Sequence, residues 1–152
     1  MGNRALIVGS HVQEHGGLGV YVHWNGGYTS CWAFCKYCAL KAHRSPDSDE
    51  PYGVARLAQV IGNFFGGSLS VGVVHIPEGN LNDEARYCDN GAWIVNSKWE
   101  IVGNPCMQDL PEINLVDALS VCLDIDKAQP ESERLGASII IDHFKELSAS
   151  RD

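Results

Sequence analysis

The stretch LGVYVHWNGGYTSCWAFCKYCALKA, residues 18–42, changes character at its centre. Leu18 to His23 is a β-branched and aromatic run of the kind that forms strands. Asn25-Gly26-Gly27 breaks it, and Thr29 or Ser30 is placed to cap a helix running to about Ala42, with no Gly or Pro between. Upstream, Arg4 to Gly9 (RALIVG) has the same strand character, and the Gly-containing polar segment before Leu18 predicts a hairpin. Downstream, Arg44 to Pro51 (RSPDSDEP) reads as an exposed loop. Val54 to about Phe65 reads as a helix, because Val54, Leu57, Val60, Ile61, Phe64 and Phe65 share one face; Gly66-Gly67 ends it. Leu69 to Ile76 reads as a buried strand and Pro77 to Asn90 as a long polar connection. Ala92–Asn96 and Trp99–Gly103, separated by Ser97-Lys98, form the clearest hairpin pattern. Ile113 to Ala128 has helical spacing and stops at Gln129-Pro130. Ala137 to Leu147 suits a helix, although Ile139-Ile140-Ile141 equally suits a strand. Strands and helices arrive in blocks, which predicts an α+β fold: one domain over residues 1–152, an antiparallel sheet packed against three to four helices.

A chain of 152 residues can bury a core without disulfides or metal. Its net charge of −8 is unevenly spread. Residues 1–77 hold five Lys or Arg and four Asp or Glu, net +1, whereas residues 78–152 are net −9. An acidic chain lacks the basic surface that phosphate backbones require, which argues against direct binding of nucleic acid. No stretch is long and apolar enough to cross a membrane, and the first residues do not read as a signal peptide, so a cytoplasmic protein without a membrane partner is expected.

Cys31-Trp32-Ala33-Phe34-Cys35-Lys36-Tyr37-Cys38 is the most provocative string chemically. Its CxxxCxxC spacing, with an aromatic before the last Cys, resembles the cluster-binding signature of radical S-adenosylmethionine enzymes, in which three thiolates hold a [4Fe–4S] cluster. That family needs a partial α/β barrel, with the cysteine loop directly after its first strand. Here Cys31, Cys35 and Cys38 fall at i, i+4 and i+7 of a predicted helix, which makes them a buried stripe packing on the sheet. A structural zinc held by two of these thiols with His43 or His23 is a further option, without the paired knuckle spacing. No cofactor is therefore expected.

His23-Trp24-Asn25-Gly26-Gly27 could gather backbone N–H groups at a helix start and hold an anion, with Trp24 and Tyr28 stacking on a base or sugar; the alternative is a tight strand-to-helix turn. In the second helix, Arg56, Gln59 and Asn63 lie at i, i+3 and i+7 and make one polar row. Arg56 is one of few cations in this half and the first candidate to grip an anionic ligand, unless Asp47, Asp49 or Glu50 claims it. No hydrolase motif is present, and His15, His75 and His143, each near an acid in sequence, read as surface or strand-end residues.

HWNGGY (23–28), FCKYCALK (34–41), YGVARLAQVIGNFFGG (52–67), DNGAWIV (89–95), WEIV (99–102) and IDKAQPESERLG (125–136) together resemble a family of short phage and prophage proteins of largely uncharacterised role. The resemblance spans His23 to Gly136. It implies a small protein of mobile-element origin acting inside a bacterial cell and supplies no reaction, cofactor or catalytic residue. Cys31 is not a fixed feature of that pattern.

These readings converge on a non-enzymatic accessory protein that antagonises bacterial defence by binding. One route sequesters a small anionic nucleotide signal in a pocket made by His23, Trp24, Asn25, Gly26 and Gly27 with Arg56, Asn63, Asp89 and Asn90. The other occludes a basic host defence protein with the acidic half, 78–152. The competing class is an enzyme, with a cluster at Cys31, Cys35 and Cys38 or a nucleotide hydrolase site. A homo-oligomer is compatible with all three.

Overall fold

The computed structural model describes residues 2–67 and 69–151. A hairpin of β1 (Ala5–Gly9) and β2 (Gly17–Val22) brackets a one-turn helix α1 (Val12–His15). The chain then runs through α2 (Tyr28–Leu40), α3 (Glu50–Phe65), β3 (Val71–Ile76), a short α4 (Leu81–Arg86), β4 (Ala92–Val95), β5 (Ile101–Gly103), α5 (Leu115–Ala128) and α6 (Ala137–Arg151). The fold is α+β, with one five-stranded sheet of order β3-β2-β1-β4-β5.

Three strand pairings are antiparallel, but β1 and β4 run parallel, so the sheet is mixed rather than antiparallel throughout. The reason is the route of the chain. After β3 it passes back through α4 and enters β4 at the end where β1 begins, where Leu6 N–H donates to Gly91 O and Asn90 N–H to Arg4 O. β1 is thereby enclosed by strands on both sides and covered on both faces, which explains its unbroken apolar sequence ALIVG.

The two faces of the sheet are covered unequally. Ala5, Ile7, Val20, Val22, Trp93 and Val95 point toward α2, α3, α5 and α6, where they join Phe34, Leu57, Ile61, Ile125 and Ile140 in the main core. Leu6, Val8, Ile76, Ala92 and Ile94 meet only α1 and α4, through Val12, Leu81 and Ala85. Each large side chain fully buried this way contributes about 1.5–3 kcal/mol. The four longer helices are those read from periodicity; α1 and α4 lie in segments read as polar connections and are too short to show a period. α6 is a helix because Ile140 and Phe144, one turn apart, are buried, while Ile139 is exposed.

The loop after α2 docks tightly onto α3. A Cβ at Gly53 would lie 2.3 Å from Pro46 N, so only glycine lets the loop and helix approach here. Gly66 closes α3 in the left-handed conformation at φ 74°. A buried carboxylate fixes the other side of the bundle: Asp126 on α5 accepts from the Tyr37 hydroxyl at 2.6 Å and from the N–H groups of Leu135 and Gly136. Deleting it would orphan three donors at about 1–3 kcal/mol each.

Cys31, Cys35, Cys38 and Cys122 are all fully buried in the main core. Burial pushes the Cys35 and Cys122 thiols up to about 12 and those of Cys31 and Cys38 well above their usual value. Burial in the apolar core thus favours the protonated form of all four thiols. Among the described residues, no three Cys, His, Asp or Glu side chains form a group that could hold a metal ion. No helix is long and apolar enough to cross a membrane.

Candidate functional site

Arg56, Gln59 and Asn63 form one row along α3, as their spacing predicts, and that row lines a cleft of about 320 Å³. The opposite walls come from two other helix ends: Lys41 and His43 follow α2, and Gln129 and Glu133 follow α5. Two helix ends therefore meet the flank of α3 around one polar hollow.

Each wall is held by a specific bond. Trp99 sits at positive φ in the β4–β5 turn and donates its indole N–H to His43 O at 2.7 Å, which anchors the α2 end. Gln129 is buried and donates to Val60 O and Ile125 O, while its amide oxygen accepts from Asn63 Nδ2 at 2.9 Å. That one side chain joins the end of α5 to α3.

Arg56 is left without an anion. The acids that precede it in sequence are engaged elsewhere: Asp47 and Glu50 both bond the His11 ring, and Asp49 pairs with Arg44 at 3.0 Å. Lys41 faces the Glu133 carboxylate at 3.5 Å. Among the described residues, Arg56 has no ion pair; its guanidinium lies over the Tyr52 ring. His43 beside it is pushed toward the neutral form, first by burial and then by the Lys41 and Arg56 charges. The cleft thus presents an unpaired cation, an imidazole pushed toward its neutral form, the Lys41–Glu133 pair and the carboxamides of Gln59 and Asn63, a set suited to a small anion with adjoining hydrogen-bonding groups.

The hollow continues along α3. A shallower groove of about 500 Å³ shares Gln59 and Asn63 with the cleft and runs over Ala58, Gly62, Gly66, Gly67, Val71 and Ala128. A Cβ on Gly62 would meet nothing closer than 3.7 Å, and one on Gly67 nothing within 4 Å, so packing demands glycine at neither position. Their bare backbone forms an open floor.

The His23–Gly27 and Asp89–Gly91 turns lie apart from this cleft, so the single pocket expected from sequence is divided in two. The 23–27 and 89–91 turns meet each other through the N-terminal strand: Asn3 N–H donates to His23 O, Gly26 N–H to Asn3 O, and Asn90 bonds both Asn3 Oδ1 and Arg4 O. Their polar atoms are committed internally. His23 bonds the Tyr21 hydroxyl, Asn25 stands at φ 58° and donates to Ser30, and Gly26 O accepts the Trp93 indole at 2.7 Å. Gly27 caps α2, and Asp89 pairs with Arg4 at 3.1 Å. Within these two turns, Trp24 and the Arg4-paired Asp89 are the residues that remain substantially exposed. The geometry is that of a latch joining the sheet to α2.

Lys41, Gln129 and Glu133 were not read from the sequence as ligand residues, and His43 was considered only as a zinc ligand. Lys41 stands in FCKYCALK and Gln129 and Glu133 in IDKAQPESERLG, so membership in those strings was the available signal. The chain matches no family model, no curated protein and no solved structure.

Proposed function

We propose that this protein is a non-enzymatic binder that sequesters a small anionic, nucleotide-like ligand in the Arg56 cleft. The observation that carries the reading is the Arg56 guanidinium, which lines a polar cleft while the neighbouring acids are engaged by His11 and Arg44. The anionic group meets Arg56 beside His43. Asn63 and Gln59 supply hydrogen bonds, Gln129 holds Asn63 in place, and an uncharged ring lies over the glycine floor. The resemblance to short phage and prophage proteins supports reading it as a protein of the bacterial host cytosol that removes a signal on which host defence depends.

The test is calorimetry and thermal melting with inorganic phosphate, mononucleotides and cyclic nucleotides. At least one nucleotide should bind in the micromolar range and raise the melting temperature, and Arg56→Ala should abolish both effects. Turnover of the nucleotide would replace the binder with an enzyme, and absence of any binding would remove the cleft as a site.

A second reading has its own support. Asp117, Asp124, Asp142 and Glu146 on α5 and α6 are exposed and make no ion pair among the described residues, a surface that complements a basic host defence protein. A partner held this way would dissociate steeply with salt and ignore nucleotides.

A further inference from the structure

We propose that the β3 edge is the interface of a homodimer, in which two copies pair this strand antiparallel about a two-fold axis. β3 is one outer strand of the sheet and β5 is the other, and they differ in the features that keep edges from pairing. β5 has three residues and a register irregularity against β4. β3 has six residues in unbroken register with β2, from Gly17 opposite Ile76 to Val22 opposite Val71. It contains no charge, proline or bulge, and these are the usual devices for blunting an edge.

On the side away from β2, no loop backbone or side chain among the described residues bonds to residues 71–76. Alternate residues therefore present free N–H and C=O groups outward. Three of the exposed large apolar side chains lie toward this edge. Val73 is 52% exposed and Leu69 fully so, and the His23 N–H bond to Ser70 O brings exposed Trp24 to the same end.

What suits such an edge is a neutral, β-branched strand, and a second copy of VGVVHI is one. Centring the two-fold on Val73 sets Val73 against Val73 and Val71 of one copy against His75 of the other, so no like charges oppose each other despite the net charge of −8. The acidic residues begin only at Glu78, beyond the strand. The dimer would extend the sheet from five strands to ten.

Sedimentation equilibrium over the micromolar range tests this. The wild-type chain should sediment as a dimer. Val73→Lys sets two ammonium groups opposite each other at the axis and should give a monomer with unchanged circular dichroism and melting under dilute conditions. Val102→Lys places the same charge on the exposed side of β5 and should leave the dimer intact. A wild-type monomer throughout the range, a dimeric Val73→Lys, or equal dissociation by Val102→Lys would overturn the proposal.

Discussion

The Arg56 guanidinium lies 4.5 Å from the centroid of the Tyr52 ring, and Arg44 lies 4.6 Å from the same centroid. Tyr52 thus acts as a platform one helical turn before Arg56, holding a cation that no carboxylate holds. Because Arg44 pairs with Asp49, the ring also helps keep that acid away from Arg56. Tyr52→Leu should therefore weaken nucleotide binding without removing any ligand contact. Cation–π contacts at accessible sites contribute about 0.5–1 kcal/mol, so the loss is roughly two- to fivefold in Kd, read by calorimetry. Tyr52→Phe keeps the ring face and should bind as the wild type does.

Gly62 offers a test in which stability and binding move in opposite directions. It lies inside α3, where glycine costs about 0.5–1 kcal/mol relative to alanine, and a Cβ there would clash with nothing. Gly62→Ala should raise the melting temperature. If a planar ring lies over that backbone, the same methyl should weaken nucleotide binding and leave inorganic phosphate binding unchanged. Calorimetry with both probes reads the difference.

His43 makes ligand binding depend on pH. Burial, Lys41 and Arg56 push its pKa below the ordinary 6.5, in that order, and Glu133 opposes them. In the free protein the unfolded chain therefore binds the proton more readily, so stability falls as pH drops from 6.5 through the lowered folded value. An anion beside Arg56 reverses this by favouring the imidazolium. Affinity should rise as pH falls through the same window, with proton uptake detectable by calorimetry in buffers of different ionisation enthalpy. His43→Gln should flatten the profile. Arg56→Ala should raise the His43 pKa in an NMR titration, since one of the charges depressing it is gone.

The same contrast between local and long-range determinants explains what was legible in the sequence. The Arg56, Gln59 and Asn63 row was visible because a helix fixes the direction of residues at i, i+3 and i+7 whatever surrounds it. Lys41 and His43, or Gln129 and Glu133, reach that row only because the ends of α2 and α5 come to rest beside it, and no local pattern encodes that meeting. The His23–Gly27 and Asp89–Gly91 turns look like ligand loops in isolation. What claims them is the backbone of Asn3 and Arg4, residues of ordinary appearance whose importance comes from pairing with segments 20 and 86 residues away, at His23 and Asn90. Likewise β1 and β4 read correctly as strands, whereas their parallel pairing depends on which way the chain turns after β3.

The six cysteines divide by environment, and this predicts their chemistry. Cys31, Cys35, Cys38 and Cys122 are buried with thiols pushed far above neutral pH, whereas Cys106 is exposed and Cys88 is half-buried. The attacking species in disulfide exchange is the thiolate, so reactivity with an aromatic disulfide reagent at neutral pH should follow exposure. Cys106 should react first in the native protein. Cys88 should follow more slowly, because burial raises its thiol above the usual value. The other four should react only as the protein unfolds, at a rate that follows denaturant concentration. Early reaction of Cys31, Cys35 and Cys38 together, each located by peptide mass spectrometry, would instead mean that α2 exposes a thiolate cluster, and would reopen the iron–sulfur reading of CxxxCxxC.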